Sequence, residues 1–136
     1  MVKAIVGPNG SGKTRRLIQC MNDAVKDASG AMVCIEKSGN LKFDIDYRVR
    51  LIDAREYSES GYAFLRGMVS GLHAGNFDIS HIYIDNVTKI VGDNDLDVLA
   101  EFLNWCDTFG ADRGVDFTVS FVADPETLPA ALRNFI

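Results

Sequence analysis

The sequence is poor in the residues that mark small stapled or metal-built scaffolds. Three cysteines occur in 136 residues, Cys20, Cys34 and Cys106, and none forms a C-x-x-C pair. That excludes a disulfide framework and argues against a cysteine zinc site. The two histidines, His73 and His81, stand far from any cysteine in sequence and are read as structural. Each cysteine falls in an apolar helix or strand pattern, so all three are expected to be small buried hydrophobes in a reducing cytoplasm. No apolar run approaches about 18 residues, so no membrane-spanning helix is expected. Met1-Val2-Lys3 runs directly into a strand pattern, which predicts no signal peptide. Repeats, low-complexity segments and linkers are lacking too. Positive charge is scarce: the net charge is −5, and the basic residues cluster only as Arg15-Arg16 and Arg48-x-Arg50. Nucleic acid is therefore not expected as a general, sequence-independent ligand.

What remains is an ordinary globular composition, with 47% hydrophobic and 24% charged residues. The length suits one domain, residues 1–136, with a core of its own. An apolar run from Val2 to Val6 leads into Gly7-Pro8-Asn9-Gly10-Ser11-Gly12-Lys13-Thr14, and a helical pattern from about Gly12 to Ala28 leads out. The octapeptide fits G-x-x-x-x-G-K-[ST] in the strand–loop–helix context that gives this pattern meaning. Its glycines let successive N–H groups turn inward on a phosphate with no Cβ in the way. The following helix presents its free N–H groups and the positive end of its dipole. Lys13 supplies a point charge for the β- and γ-phosphates, and Thr14 a hydroxyl for Mg²⁺.

These residues resemble the P-loop NTPases. The wording GPNGSGKT is most similar to the branch holding ABC-type, RecA-like and AAA-type ATPases. The resemblance implies ATP and Mg²⁺ as ligands. Guanine is disfavoured because no N/T-K-x-D tetrapeptide occurs; Thr88-Lys89-Ile90-Val91 lacks the Asp. His81-Ile82-Tyr83-Ile84-Asp85 resembles the Walker B strand, which implies that Asp85 completes the metal site beside Thr14.

The remaining elements follow by periodicity. Leu17, Ile18, Met21, Ala24, Val25 and Ala28 form one helical face that ends at Ser29-Gly30. Ala31–Ile35 is a buried parallel strand with Glu36 at its end. From Leu41 to Leu51, apolar and charged residues alternate with period two. Val49 to Ile52 is expected in the sheet, and the earlier part forms a hairpin arm or an irregular flap. Ser58 to Ser60 cap a second helix with Leu65, Met68, Val69 and Leu72 inward; Gly61, Gly67 and Gly71 either weaken it or mark close packing. A third helix starts at Asn94 or Asp95, turns Leu96, Leu99, Phe102, Leu103 and Cys106 inward and ends at Gly110. Trp105 is placed at its edge. Asp116–Ala123 is the last strand, Pro125–Pro129 a turn or short helix, and the tail docks on the sheet. The expectation is a three-layer α/β/α P-loop NTPase fold with a mostly parallel sheet of about five strands.

The chain departs from the family pattern where many relatives carry Glu after the Walker B Asp. Here the residue is Asn86, which orients a water but takes no proton. Glu36, Asp53 and Asp124 end other strands and are the candidate replacements, Glu36 being preferred. Ser120, in the last strand, is either a γ-phosphate sensor, as the resemblance implies, or a hydroxyl tucked into a strand. Arg48, Arg50 and Arg113 can act as charge-stabilising fingers toward a neighbouring subunit or be surface residues; Arg15 and Arg16 read as a solvated helix face. There is no LSGGQ-type signature, no AAA-type helical lid and no Arg-rich kinase lid. The first half also resembles type II thymidine kinases, without their zinc cluster. The whole chain resembles short stand-alone bacterial P-loop proteins, a likeness that brings no activity with it. The expected function is Mg-ATP binding with slow or partner-dependent hydrolysis, the partner being another protein or a second copy. The alternatives are a nucleoside-type kinase using the Ser38–Arg50 flap, and a non-hydrolysing interaction module.

Overall fold

The computed structural model describes all residues 1–136 as an α/β protein built on one all-parallel five-stranded sheet. In chain order the elements are β1 (Val2–Gly7), α1 (Lys13–Ala24), β2 (Ala31–Glu36), β3 (Val49–Asp53), α2 (Gly61–Gly75), β4 (Ile79–Ile84), α3 (Val87–Val91), α4 (Leu96–Arg113), β5 (Asp116–Val122) and α5 (Ala130–Arg133). Single 3₁₀ turns follow β3 and β5. The strand order is β1-β5-β4-β2-β3, so β1 and β3 are the edges.

Alternation along the strands sorts the core into two layers. Val33, Ile35, Ile82, Ile84, Phe117, Val119 and Phe121 face a large cluster shared with α2, α3, α4 and α5. Met32, Cys34, Val49 and Tyr83 face the other way, where Leu17, Met21 and Val25 of α1 cover them with Leu41. Helices thus lie on both faces, giving three layers. No helix is long and apolar enough to cross a membrane.

Several boundaries differ from the periodicity reading, each for a physical reason. Helix α1 stops at Ala24, leaving Ala28 exposed. Helix α4 runs through Gly110 to Arg113 and closes on Gly114 in the left-handed region (φ 70°). Gly110 lies inside the helix, where the carbonyl of Val115 occupies the space a Cβ would need. Gly67 and Gly71 do not mark close packing: nothing lies within 4 Å of a Cβ built on either. Cys34 and Cys106 are buried as expected, but Cys20 is exposed. The tail docks on the β1 edge, where the Ala4 N–H donates to the Phe135 carbonyl at 2.7 Å.

The segment between β2 and β3 is irregular rather than extended, and its period-two apolar series does not form one face. Leu41 is 2% exposed and Ile45 packs beside it, while Phe43 and Tyr47 are 86% and 92% exposed. Asn22 of α1 fixes this loop from both sides of its amide, donating to the Asp44 carbonyl and accepting from the Asp46 N–H, both at 2.9 Å.

Candidate functional site

The parallel sheet brings the carboxyl ends of all five strands to one edge, where open α/β sheets hold ligands. The register aligns Ile5 with Ser120, Ile35 with Ile84, Ile84 with Val119, and Glu36 with Asp53. One step beyond the Ile35–Ile84–Val119 row, Glu36, Asp85 and Ser120 stand on neighbouring strands. The Asp85 N–H, at 2.9 Å from the Ile35 carbonyl, continues the ladder to that point. Glu36 and Asp85 point to the α1 side, because Cys34 and Tyr83, two residues earlier, do, and Ser120 meets Asp85 there through its hydroxyl.

The Gly7–Thr14 loop connects β1 to α1 on that same side. Gly10 and Gly12 take φ values of 78° and 86°, which side-chain-bearing residues rarely adopt. A Cβ on Gly7 would strike the Ser11 side chain. The tight path leaves the N–H groups of Asn9, Gly10, Gly12, Lys13 and Thr14 without a hydrogen-bond partner in the protein, while the Ser11 N–H bonds the Pro8 carbonyl at 3.2 Å. The start of α1 has no side-chain cap. Lys13 is buried, and its Nζ donates to the Pro8 carbonyl at 2.9 Å, folded back over the loop.

Asp85 is 6% exposed and has no cationic side chain within salt-bridge distance. Its carboxylate accepts hydrogen bonds from Thr14 Oγ1, at 3.1 and 3.2 Å, and from Ser120 Oγ at 2.7 Å. Ser120 Oγ in turn accepts from the Asn86 N–H at 2.8 Å. Asn86 is the one non-glycine residue with positive φ (53°), a strained conformation that aims this N–H into the site at the start of α3. Lys13, Thr14, Asp85, Asn86 and Ser120 are therefore brought together.

Glu36 is 1% exposed and stands next to Asp85, but its carboxylate is committed to its own turn. It accepts from the Ser38 N–H and hydroxyl and from the Gly39 N–H. Asp53 and Asp124 cap the 3₁₀ turns that follow their strands, and Asp53 also holds Arg55 in a bidentate pair at 2.7–3.1 Å. Arg48 and Arg113 lie at the opposite edge of the sheet, just before β3 and in the last turn of α4. Arg48 pairs with Asp46, and Arg113 rests 4.2 Å over the Phe109 ring.

Sequence reasoning missed the strain at Asn86 and the Ser120–Asp85 bond. An Asn directly after the strand-end Asp85 is the only signal for the first, since Asn tolerates the left-handed region. Compared with known proteins, the chain matches no protein-family model and no curated protein.

Proposed function

We propose that this protein binds Mg-ATP in the Gly7–Thr14 loop and hydrolyses it slowly, with turnover dependent on a partner. One observation carries the reading: Asp85 is a buried carboxylate with no cation, held by two hydroxyls and facing a loop of unpartnered N–H groups. Buried charges are paired or bind metal, and this one lacks a protein partner of opposite sign. Mg²⁺ is held by one or two protein oxygens together with substrate phosphates. Thr14 Oγ1 and Asp85 are the residues that would hold it. When bound, the ion neutralises charge developing on the phosphates.

The chain's own groups divide the remaining work. The loop N–H groups receive the phosphate oxygens. Lys13 exchanges the Pro8 carbonyl for the β- and γ-phosphates. Ser120 donates its hydroxyl proton to Asp85 and accepts from the Asn86 N–H, so it would sense the γ-phosphate only by turning that proton away from Asp85. Asn86 is available to orient a water but accepts no proton, and Glu36 is held in its own turn. A partner protein or second copy would then supply a free base or a stabilising charge. Adenine is favoured over guanine on sequence grounds. Unpaired thiols fit a reducing, cytoplasmic setting.

The test is thermal unfolding of wild type and Lys13→Ala with Mg-ATP, with Mg-GTP and without nucleotide. At about 100 times Kd, a ligand adds roughly 2.7 kcal/mol to the native state. The expected result is a rise in Tm with Mg-ATP alone, lost in the variant, and a turnover by the isolated chain below about 1 s⁻¹. No rise with either nucleotide would bring the interaction-module reading forward. One feature favours the kinase alternative: a cleft of about 300 Å³ between the flap and β3, lined by Glu36, Lys42, Arg50, Asp53 and Arg55. ADP release stimulated by a nucleoside would select it.

A further inference from the structure

Phe43 and Tyr47 are the two most exposed aromatic rings in the molecule, yet the loop carrying them is firmly held. Leu41, Ile45 and Val49 anchor it into the α1-side core, and Asn22 ties it to α1 at Asp44 and Asp46. The rings alternate with these anchors, so the loop's inward packing displays them outward. Each has a cation beside it: Lys42 Nζ, in no salt bridge, is 5.0 Å from the Phe43 ring centre, and the Arg48 guanidinium, paired with Asp46, is 6.0 Å from that of Tyr47. Nothing in the fold uses either ring.

Charge is distributed unevenly in the same direction. Residues 13–50, which run through α1, β2 and this loop, hold eight Lys and Arg against five Asp and Glu, a net of +3. The other 98 residues hold six against fourteen, a net of −8. The overall −5 therefore conceals a basic segment carrying two displayed rings. Lys37 and Lys42 within it form no salt bridge.

We propose that the loop Lys37–Arg50 is a binding site for single-stranded nucleic acid, with bases stacked on Phe43 and Tyr47 and phosphates held by Lys37 and Lys42. Exposed rings interleaved with cations suit a chain that offers unpaired π-faces and regularly spaced negative charge. A duplex hides its base faces and meets too little basic surface here. This explains how a chain of negative net charge can bind single strands without being a general nucleic-acid binder. The proposal stands apart from the nucleotide site and needs neither Mg²⁺ nor ATP.

The test is fluorescence anisotropy on nucleotide-free protein, with labelled oligo(dT) and oligo(rU) of about 20 nucleotides and a duplex of the same length. Single strands are expected to bind below about 100 μM at about 50 mM salt, and the duplex more weakly. The two oligonucleotides report whether DNA or RNA is preferred. Phe43→Ala/Tyr47→Ala should weaken binding at least about tenfold, with Tm and the Mg-ATP response unchanged, while Phe43→Tyr/Tyr47→Phe keeps it. Lys37→Ala/Lys42→Ala should flatten the slope of log affinity on log salt by about 1. The proposal is overturned by absence of binding, by equal binding in the double alanine variant, or by preference for duplex. Self-association lost in that variant, with no oligonucleotide bound, would instead make the patch a protein interface.

Discussion

His81 shows how one side chain on a sheet can be read in solution. Its ring stacks on Tyr83 with centroids 4.1 Å apart and planes within 8°, and shares a 2.9 Å hydrogen bond with Thr118. Burial, partly countered by Asp116, lowers its pKa from 6.5 to about 4. The unfolded chain therefore takes up the proton first as pH falls. Stability is full above about 6.5 and declines between there and about 4, by on the order of 3 kcal/mol. Urea midpoints of wild type and His81→Gln should converge or cross over that interval, because the variant lacks this titration. Parallel pH profiles would show that the imidazole is solvated in the folded protein. Glu36 makes a related point without titration. A carboxylate at a strand end beside Asp85 has the placement of a base, but it is held in its own turn by Ser38 and Gly39. Sequence position placed it correctly on the edge; the hydrogen bonds of its own turn could not be read from the residue order.

At the level of elements, glycine has opposite meanings in α2 and α4. Gly67 and Gly71 lie in the interior of α2 with helical backbone, exposed surroundings and open space where a Cβ would go. Each Gly→Ala should stabilise by about 0.5–1 kcal/mol, because alanine loses less backbone entropy on entering a helix. Guanidinium unfolding of Gly67→Ala/Gly71→Ala should give a higher midpoint with an unchanged slope. A lower midpoint would show that the bare stripe is occupied by something else. Gly110→Ala in α4 should do the reverse, since the Val115 carbonyl fills that space. Spacing alone does not distinguish these cases. The helical periodicity located both helices, whereas the neighbours of each glycine depend on how the helix docks.

Taken whole, the molecule is lopsided. The cluster on the α2–α3–α4 face contains 27 buried residues and the one under α1 contains 8. The stability of a local opening scales with the apolar contact that opening destroys. Amide hydrogen exchange should therefore be faster in α1 and the following loop than in α4 and β4, and Mg-ATP should slow it most in α1. Equal protection of α1 and α4 in the free protein would refute this asymmetry. The same lopsidedness places the Gly7–Thr14 loop and the Phe43–Tyr47 loop on the thinner, more basic side.

The order of the five strands and of α1, α2 and α4, a mostly parallel sheet, the glycine-rich loop and the Asp85 strand were legible in the residues, whereas the short helix α3 was not. They rest on local rules: period two, period 3.6, and glycines where the backbone must turn sharply. The tertiary structure decided the rest. Strand order brought Ser120 to Asp85 across 35 positions and set Glu36 beside them without freeing its carboxylate. Docking of α1 sent Leu41 and Ile45 inward and left Phe43 and Tyr47 outside, although all four follow one period in sequence. A repeat records which residues share a face of an ideal strand. Whether the backbone stays extended, and what covers that face, is decided by contacts between segments distant in the chain.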